Sequence, residues 1–345
     1  MKFDFIIGNP PYQDEVIGEN KTFAPPIYHK FLENAYSISD VVEMIHPARF
    51  LFNAGNTPKQ WNKFMLSNPH LKVLYYEKDS SKIFTNTEIK GGIAITYHAK
   101  KENFGEIGTF TAYPHLNSIL GKVKQHTAFK KFSAIVVTRT AYKLTESMHS
   151  DHPEAISQLS NGHAYDMSTN IFERLPQIFF DEKPNDKFRY IQILGRENNE
   201  RIHKYIRTDY VNEVCNLYKY KIFLPSANGN GSFGETLSSP TIAEPGIGAT
   251  ETFVSIGSFV SFEECNAALK YIKTKFTRAL LGVLKVTQHI TPEKWAYVPL
   301  QDFTQQSDID WSKSIKEIDQ QLYAKYNLDE NEIDFIESHV KEMSE

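Results

Sequence analysis

Apolar positions along the first hundred residues follow two alternating periods. Residues 3–8 (FDFIIG) are almost continuously apolar and read as a short strand buried on both faces. That strand runs directly into Asn9-Pro10-Pro11-Tyr12. A polar loop leads to Pro25-Pro26, which suits a helix start because proline pre-sets the first turn. Ile27, Phe31, Leu32 and Ala35 then recur at helical spacing. Residues 41–46 predict the next strand, and Gly55 with Pro58 closes one element and opens a helix through Trp61 and Phe64. Residues 71–76 and 89–98 predict two more strands. Strands alternating with helices predict an α/β unit with a parallel or mostly parallel sheet.

The pattern changes near Tyr113. Leu116, Ile119, Leu120 and Val123 form a helical stripe, and residues 134–140 and 188–194 read as isolated strands in polar surroundings. Residues 226–256, rich in Gly, Ser, Asn, Thr and Pro, predict loop with short strands. Ser261 and Glu264 then form a capping box for one long helix that buries Ile272, Phe276, Ala279, Leu280 and Val283. The tail predicts a helical hairpin, with Trp311, Ile315, Ile318 and Leu322 on one helix and Asp329 with Glu332 capping the next. The expected divisions are 1–112, an α/β sheet; 113–300, an α+β domain; and 301–345, a helical tail.

Composition adds limits. A chain of 345 residues that is 41% hydrophobic and 23% charged can build more than one core. The two cysteines, Cys215 and Cys265, form no metal or disulfide pattern, so no metal is expected and the setting reads as reducing. No apolar run approaches the ~20 residues of a membrane span, and no signal-peptide pattern precedes the first strand. A cytoplasmic protein without a membrane partner is therefore expected. Net charge is −4, but residues 301–345 alone carry −8, which leaves +4 on the first 300. That is compatible with a DNA-facing surface without requiring one.

The tetrapeptide after the first strand carries the chemistry. The exocyclic amine of adenine is a poor nucleophile, because its lone pair is delocalised into the ring. Two acceptors that take both N–H bonds would aim that lone pair at an electrophilic methyl group. Asn9 offers a carboxamide oxygen, and Pro10 offers a carbonyl whose direction two consecutive prolines fix. Tyr12 offers a flat face for a base, worth ~1–3 kcal/mol by analogy with single-strand binders. With no general base, the gain comes from orientation and from acceptors aimed at developing positive charge. The other reading is a tight turn and nothing more. The loop's place at the C-terminal end of an apolar strand, where open α/β sheets put their ligands, favours a site.

FDFIIGNPPY, residues 3–12, resembles the catalytic motif of the amino-group DNA methyltransferases. IYHKFLENAY (27–36), VVEMIHPARFLFNAG (41–55) and KIFTNTEIKGGIAITYH (82–98) are similar to the motifs that follow it. The match is to adenine-N6-specific enzymes of restriction–modification systems, a group that includes fused restriction–methylation polypeptides. More loosely, residues 270–300 resemble the end of that family's target-recognition domain. The resemblance implies the C-terminal half of a Rossmann-like methyltransferase sheet, followed by a target-recognition domain. It implies that Asn9 and Pro10 hold the adenine amine and touch the reactive end of S-adenosylmethionine, and that Tyr12 stacks on the flipped base. Phe84 is then the second aromatic contact, or else a core residue after a strand.

The same family binds its cofactor through a glycine-rich turn and an acidic residue upstream of the tetrapeptide. Only eight residues precede it here. The chain is therefore expected to be a fragment, one half of a split enzyme whose N-terminal cofactor-binding polypeptide docks on the edge formed by residues 3–7, from Phe3 to Ile7, or an oligomer that self-associates there. The isolated chain is expected to be inactive. A permuted arrangement would use Gly246-Ile247-Gly248 or Gly229-Asn230-Gly231, neither of which follows an apolar strand and opens a helix.

Basic residues interleaved with aromatics occur at 122–143, 189–207 and 270–285. Within them Lys130, Lys131, Arg139, Lys273, Lys275 and Arg278 are the candidates for contacting double-stranded DNA. A solvated face is the plainer reading of any one of them. Competing functions are a transferase acting on RNA or on a protein glutamine, and a non-enzymatic DNA-recognition subunit.

Overall fold

The computed structural model describes residues 3–14, 24–52, 56–85, 89, 91–229, 231–285 and 288–344. Gly55, Asn230 and the polar loop after Asp14 lie outside them. The chain divides into two compact units, Met1–Asn117 and Ser118–Glu345.

Among the described residues the first unit is a four-stranded sheet with two α-helices: β1 (Phe3–Gly8), α1 (Tyr28–Ile38), β2 (Ser39–Pro47), α2 (Lys59–Ser67), β3 (Leu71–Glu77) and β4 (Ile93–Ala99). Spatial order is β1-β2-β4-β3. β1 pairs parallel with β2, and β4 pairs antiparallel with both β2 and β3. β1, β2 and β3 thus run one way and the inserted β4 the other, so the expected mostly parallel sheet has a single parallel pair. A helix follows β1, giving the long crossover that parallel strands need, whereas among the described residues β3 connects to β4 through a single 3-10 turn at Ser80–Lys82.

The core of this unit lies on one face. Tyr28, Leu32 and Ala35 of α1 pack with Val42 and Met44, Trp61 and Met65 of α2, Leu71 and Ala94. The buried stripe of α1 starts from Tyr28, and Phe31, expected inside, is 42% exposed. Phe64 of α2 is likewise exposed, with Met65 taking the core position. β1 is an edge, and its odd positions Phe3, Phe5 and Ile7 are 45%, 49% and 71% exposed. The expectation that this strand is buried on both faces is therefore corrected: only Ile6 packs against the core.

In the second unit, α3 (Pro114–Gln125) spans the division and buries the expected stripe. It is followed by β5 (Val136–Val137), shorter than the strand expected there, and by three short helices, α4 (Glu146–Asp151), α5 (Ala155–Gln158) and α6 (Ile171–Arg174). β6 (Tyr190–Glu197) and β7 (Glu200–Arg207) form a hairpin, followed by β8 (Tyr220–Pro225), β9 (Thr241–Ala243), β10 (Ile247–Ala249) and β11 (Phe253–Phe259). Two sheets result, ordered β10-β6-β7 and β5-β11-β8-β9. Lys221 of β8 is wholly buried, and its ammonium donates to the carbonyls of Leu217, Lys219 and Glu244 at 2.9–3.0 Å.

The single long helix expected after Ser261 is two, α7 (Phe262–Lys273) and α8 (Lys275–Gly282), broken at Thr274 with ψ 150°. The break is held from both sides. Thr274 Oγ1 accepts from Thr277 N, and the buried Asp319 carboxylate accepts from Lys275 N and Phe276 N, both at 2.9 Å. Asp319 belongs to α9 (Ile315–Lys325), which is followed by α10 (Glu330–His339) with a capping box at Asp329 and Glu332; the two helices of the expected hairpin each pack on α8, and Tyr323 of α9 donates to Glu337 of α10. Trp311 precedes α9 and packs against Phe303 and Tyr271.

Burial raises the Asp319 pKa to about 7, against backbone N–H donors that lower it. A carboxyl whose folded pKa is raised stabilises the fold at low pH and loses that contribution as pH rises through 7. Between pH 6 and 8 this group should remove about 1.4 kcal/mol of unfolding free energy, measured by urea denaturation. Asp319→Asn should flatten that part of the profile; an unchanged slope would assign the titration elsewhere.

Candidate active site

β1 delivers Asn9 at the C-terminal end of the edge strand, in register with β2 up to the Gly8–Met44 pair. Pro10 and Pro11 have no N–H, so the backbone cannot extend the ladder and leaves the sheet. Asn9 is exposed and Pro10 buried. Beyond the prolines the chain is tied to the start of α1: Ile27 N donates to the Tyr12 carbonyl at 3.1 Å and Asp14 N to that of Pro25 at 2.9 Å. Ile27, expected on the helix's apolar stripe, therefore serves as the anchor of this loop.

Tyr12 is half-buried against the core cluster. Its hydroxyl is buried without a hydrogen-bond partner, and burial pushes its pKa up to about 12, so the phenol stays neutral. The Phe84 ring stands beside it, with centroids 6.3 Å apart and planes at 66°. A compact turn presents Phe84: Asp79 Oδ1 accepts from Ser81 N, Phe84 N donates to the Ser80 carbonyl at 2.9 Å, and Ser80 Oγ accepts from Ile89 N at 2.8 Å. The chain re-enters β4 through Gly92, at φ +81°, where a Cβ would meet the Glu77 carbonyl at 2.3 Å. Tyr12, three residues after an exposed carboxamide in the chain, and Phe84, set edge to face with it, are an arrangement able to hold a flat conjugated ring.

Sequence reasoning missed the polar groups behind this loop. His46 uses both ring nitrogens, on the Pro47 carbonyl and on Thr96 Oγ1 at 2.7 Å, and burial lowers its pKa to about 4. It is a neutral crosslink between β2 and β4 rather than a proton carrier. His29 Nδ1 and Trp61 Nε1 are buried without partners, their rings 5.5 Å apart. The Asp-Ser-Ser turn at 79–81 was legible as turn chemistry; the two orphaned nitrogens leave no sequence signal.

The basic candidates separate. Lys130 and Lys131 are exposed, and exposed Arg139 pairs with Glu251 at 3.5 Å. Lys273 is half-buried and reaches the Ser344 carbonyl at 3.4 Å. Lys275 is bound to Glu337 at 2.6 Å. Arg278 is 2% exposed and donates to the carbonyls of Lys273, Glu235 and Lys341. Its expected place on a DNA-facing surface is thus corrected: the guanidinium is internal, and burial lowers its pKa to about 10. Gly246 and Gly248 do not form a strand-to-helix turn either. Gly246 N donates to Leu217, β10 pairs parallel with β6, and a Cβ on Gly248 would meet Ile193 at 2.8 Å. Among the described residues no cluster of His, Cys, Asp and Glu could hold a metal ion, and no helix is long and apolar enough to cross a membrane.

The tetrapeptide and its aromatic neighbour lie in one matched segment. Residues 1–84 match the Eco57I restriction-modification methylase family. Over 95 residues the chain is 36% identical to an uncharacterized adenine-specific methylase of Mycoplasma pneumoniae (strain ATCC 29342 / M129 / Subtype 1). That stretch is 27% of this chain and 22% of the relative, so only about a fifth of the relative's length is spanned. Among solved structures, the type IIG restriction endonuclease BpuSI is similar over 94% of this chain and 49% of its own, with 12% identity and a TM-score of 0.34. The type IIL restriction-modification enzyme MmeI, solved in complex with DNA, is similar over 97% and 56%, with 9% identity and a TM-score of 0.35. Likeness at that level carries no argument about this chain.

Arg278→Ala should lower unfolding free energy by about 2–4 kcal/mol, because three buried carbonyls lose their donor. Exposed Arg139→Ala should cost less than about 1 kcal/mol. Urea denaturation of both variants checks this; a neutral Arg278→Ala would overturn the internal role.

Proposed function

We propose that this chain carries the catalytic loop and the DNA-recognition portion of an adenine-N6 DNA methyltransferase in a restriction–modification system. The observation that carries the reading is the Asn9-Pro10-Pro11-Tyr12 loop at the end of β1 with the Phe84 ring beside Tyr12. It stands inside the segment that matches a restriction-modification methylase family. The Asn9 carboxamide and the Pro10 carbonyl accept the two N–H bonds of the adenine amine, which turns its lone pair outward. Tyr12 and Phe84 hold the ring, compensating part of the few kcal/mol needed to extract a base from the stack. The phenol of Tyr12, neutral and without a partner, contributes its face rather than a proton.

S-adenosylmethionine, when bound, supplies the electrophilic methyl group. Exposed Asn9 and its neighbour Pro10 fit contact with the reactive end of such a group. The glycine pair at 246–248 does not fit its remainder, since it is built into a sheet. The exposed row of Phe3, Phe5 and Ile7, and a side of β1 that no described strand pairs, favour a cofactor-binding segment that adds a strand at this edge. On this reading the chain methylates only when complemented.

Asn9→Ala should reduce methyl transfer by at least about a hundredfold in the complemented enzyme while leaving duplex binding within a few-fold. Transfer of labelled methyl groups to an adenine-containing duplex measures the first, and fluorescence anisotropy the second. Near-full transfer by Asn9→Ala would sink the catalytic assignment. Robust transfer by the uncomplemented chain would sink the need for a partner.

A further inference from the structure

The β6–β7 hairpin ends in an arginine pair that the fold holds together without a carboxylate. Its turn is two residues, Asn198 and Asn199, at φ 49° and 65°, the left-handed pair that lets a tight hairpin keep its twist. The first rungs below it pair Glu197 with Glu200 and Arg196 with Arg201. Successive residues of a strand point to opposite faces, so the two acids share one face and the two guanidiniums the other. On the acid face Lys204 meets Glu197 at 3.1 Å and Asp181 at 3.2 Å. On the arginine face the following rungs, Leu194 with His203 and Gln192 with Tyr205, bring no carboxylate. Glu251 meets Arg139 at 3.5 Å. Asp151 and Asp209 meet Arg207, roughly 20 Å along the strand.

Like charges directly opposite each other in a sheet are destabilising, yet this pair is pinned in place. Arg196 donates to the Asn199 carbonyl at 2.7 Å, and Arg201 to the Ser239 and Ser238 carbonyls at 2.7 and 3.3 Å. The Phe253 ring lies 5.4 Å from the Arg201 guanidinium. Burial lowers the Arg201 pKa, and the charge of Arg196 lowers it further. Both arginines are exposed, and neither forms an ion pair among the described residues. A guanidinium has five N–H donors, so these contacts leave donors on both for an anion.

We propose that the tip of this hairpin is a phosphate clamp for duplex DNA, with Arg196 and Arg201 closing on the sugar–phosphate backbone while Asn198 and Asn199 lead into a groove. It rests on the proposed function and places part of that function's DNA contact at one pair of residues. A two-stranded ribbon is narrow enough to enter the major groove, and the uncharged amides at its end meet phosphates without repulsion. Phosphate contact fixes position rather than sequence. The bound anion supplies the countercharge that the fold withholds from the pair.

The test is binding of a labelled mixed-sequence duplex by the full chain across 50–200 mM salt, read by anisotropy, beside urea denaturation. Arg196→Gln/Arg201→Gln should weaken binding about tenfold at 100 mM and lower the slope of log affinity against log salt by roughly 1–2, near 0.9 per lost phosphate. Arg196→Lys/Arg201→Lys keeps the charge and should keep most of the slope. Arg196→Gln alone removes a like-charge pair, so its urea midpoint should stay level or rise. A lowered midpoint with parental duplex binding would make the pair structural and overturn the clamp. Lys313→Gln/Lys316→Gln removes as much charge from the tail and should bind like the parent; an equal loss there makes the effect one of net charge and also overturns the clamp. Inorganic phosphate at about 10 mM should compete no better than chloride of equal ionic strength; stronger displacement would reassign the pair to the free anion. Parental affinity and slope in the double glutamine variant strike the clamp and leave the methyltransferase reading standing. A parent that binds no duplex at 50 mM strikes both the clamp and the DNA portion of that reading.

Discussion

The parallel ladder between β1 and β2 is what the Asn9–Tyr12 loop hangs from. Among the described residues β1 has this one partner, in register from Phe3–Ser39 to Gly8–Met44. A Cβ on Gly8 would lie 3.2 Å from Met44 Sδ, so the last rung closes only over a small residue. Where the ladder stops, the two prolines start, and they cannot donate to it. The loop is thus fixed by a strand at one end and by the backbone bonds to Pro25 and Ile27 at the other. An edge strand with one partner opens more readily than a central one, so the precision of Asn9 depends on how firmly β1 is kept in place.

Legibility in the sequence followed the range of the interaction. The first strand, the tetrapeptide after it, the α3 stripe and the Asp329–Glu332 cap were readable because neighbours in sequence determine them. The direction of β4 was not, since alternation of apolar residues is the same whichever way a strand runs. The break at Thr274 was hidden for a related reason. Its apolar spacing continues without interruption, and the carboxylate that stabilises the new helix start is Asp319, more than forty residues on. Phe84 could be named from its motif, but its position beside Tyr12 comes from hydrogen bonds to Ser80.

Charge was the least readable quantity. The acidic tail and the basic remainder suggested a molecule with a charged exterior of two signs. Part of that asymmetry is instead met by ion pairs within the second unit. Lys122 of α3 binds Glu332 and Asp329, Lys275 binds Glu337, and Lys325 binds Asp308. Asp329, Glu332 and Glu337 of the tail are thus counterions for Lys122 and Lys275 of its own unit, and removing the tail would leave those two lysines without them. A count of basic residues in a segment says little until the acids that meet them are located.

Lys221 takes this principle into the interior. Three carbonyl oxygens converging at hydrogen-bond distance make a cage of the sort that a dissolved alkali ion would otherwise occupy. Here the occupant is an ammonium tethered to β8 by its own side chain, with three donors for three acceptors. Such a cage is filled in every molecule at any ionic composition of the medium. It cannot be emptied by dialysis or contested by another ion, although burial lowers the pKa of Lys221 to about 8, so alkaline pH takes one of its three donors.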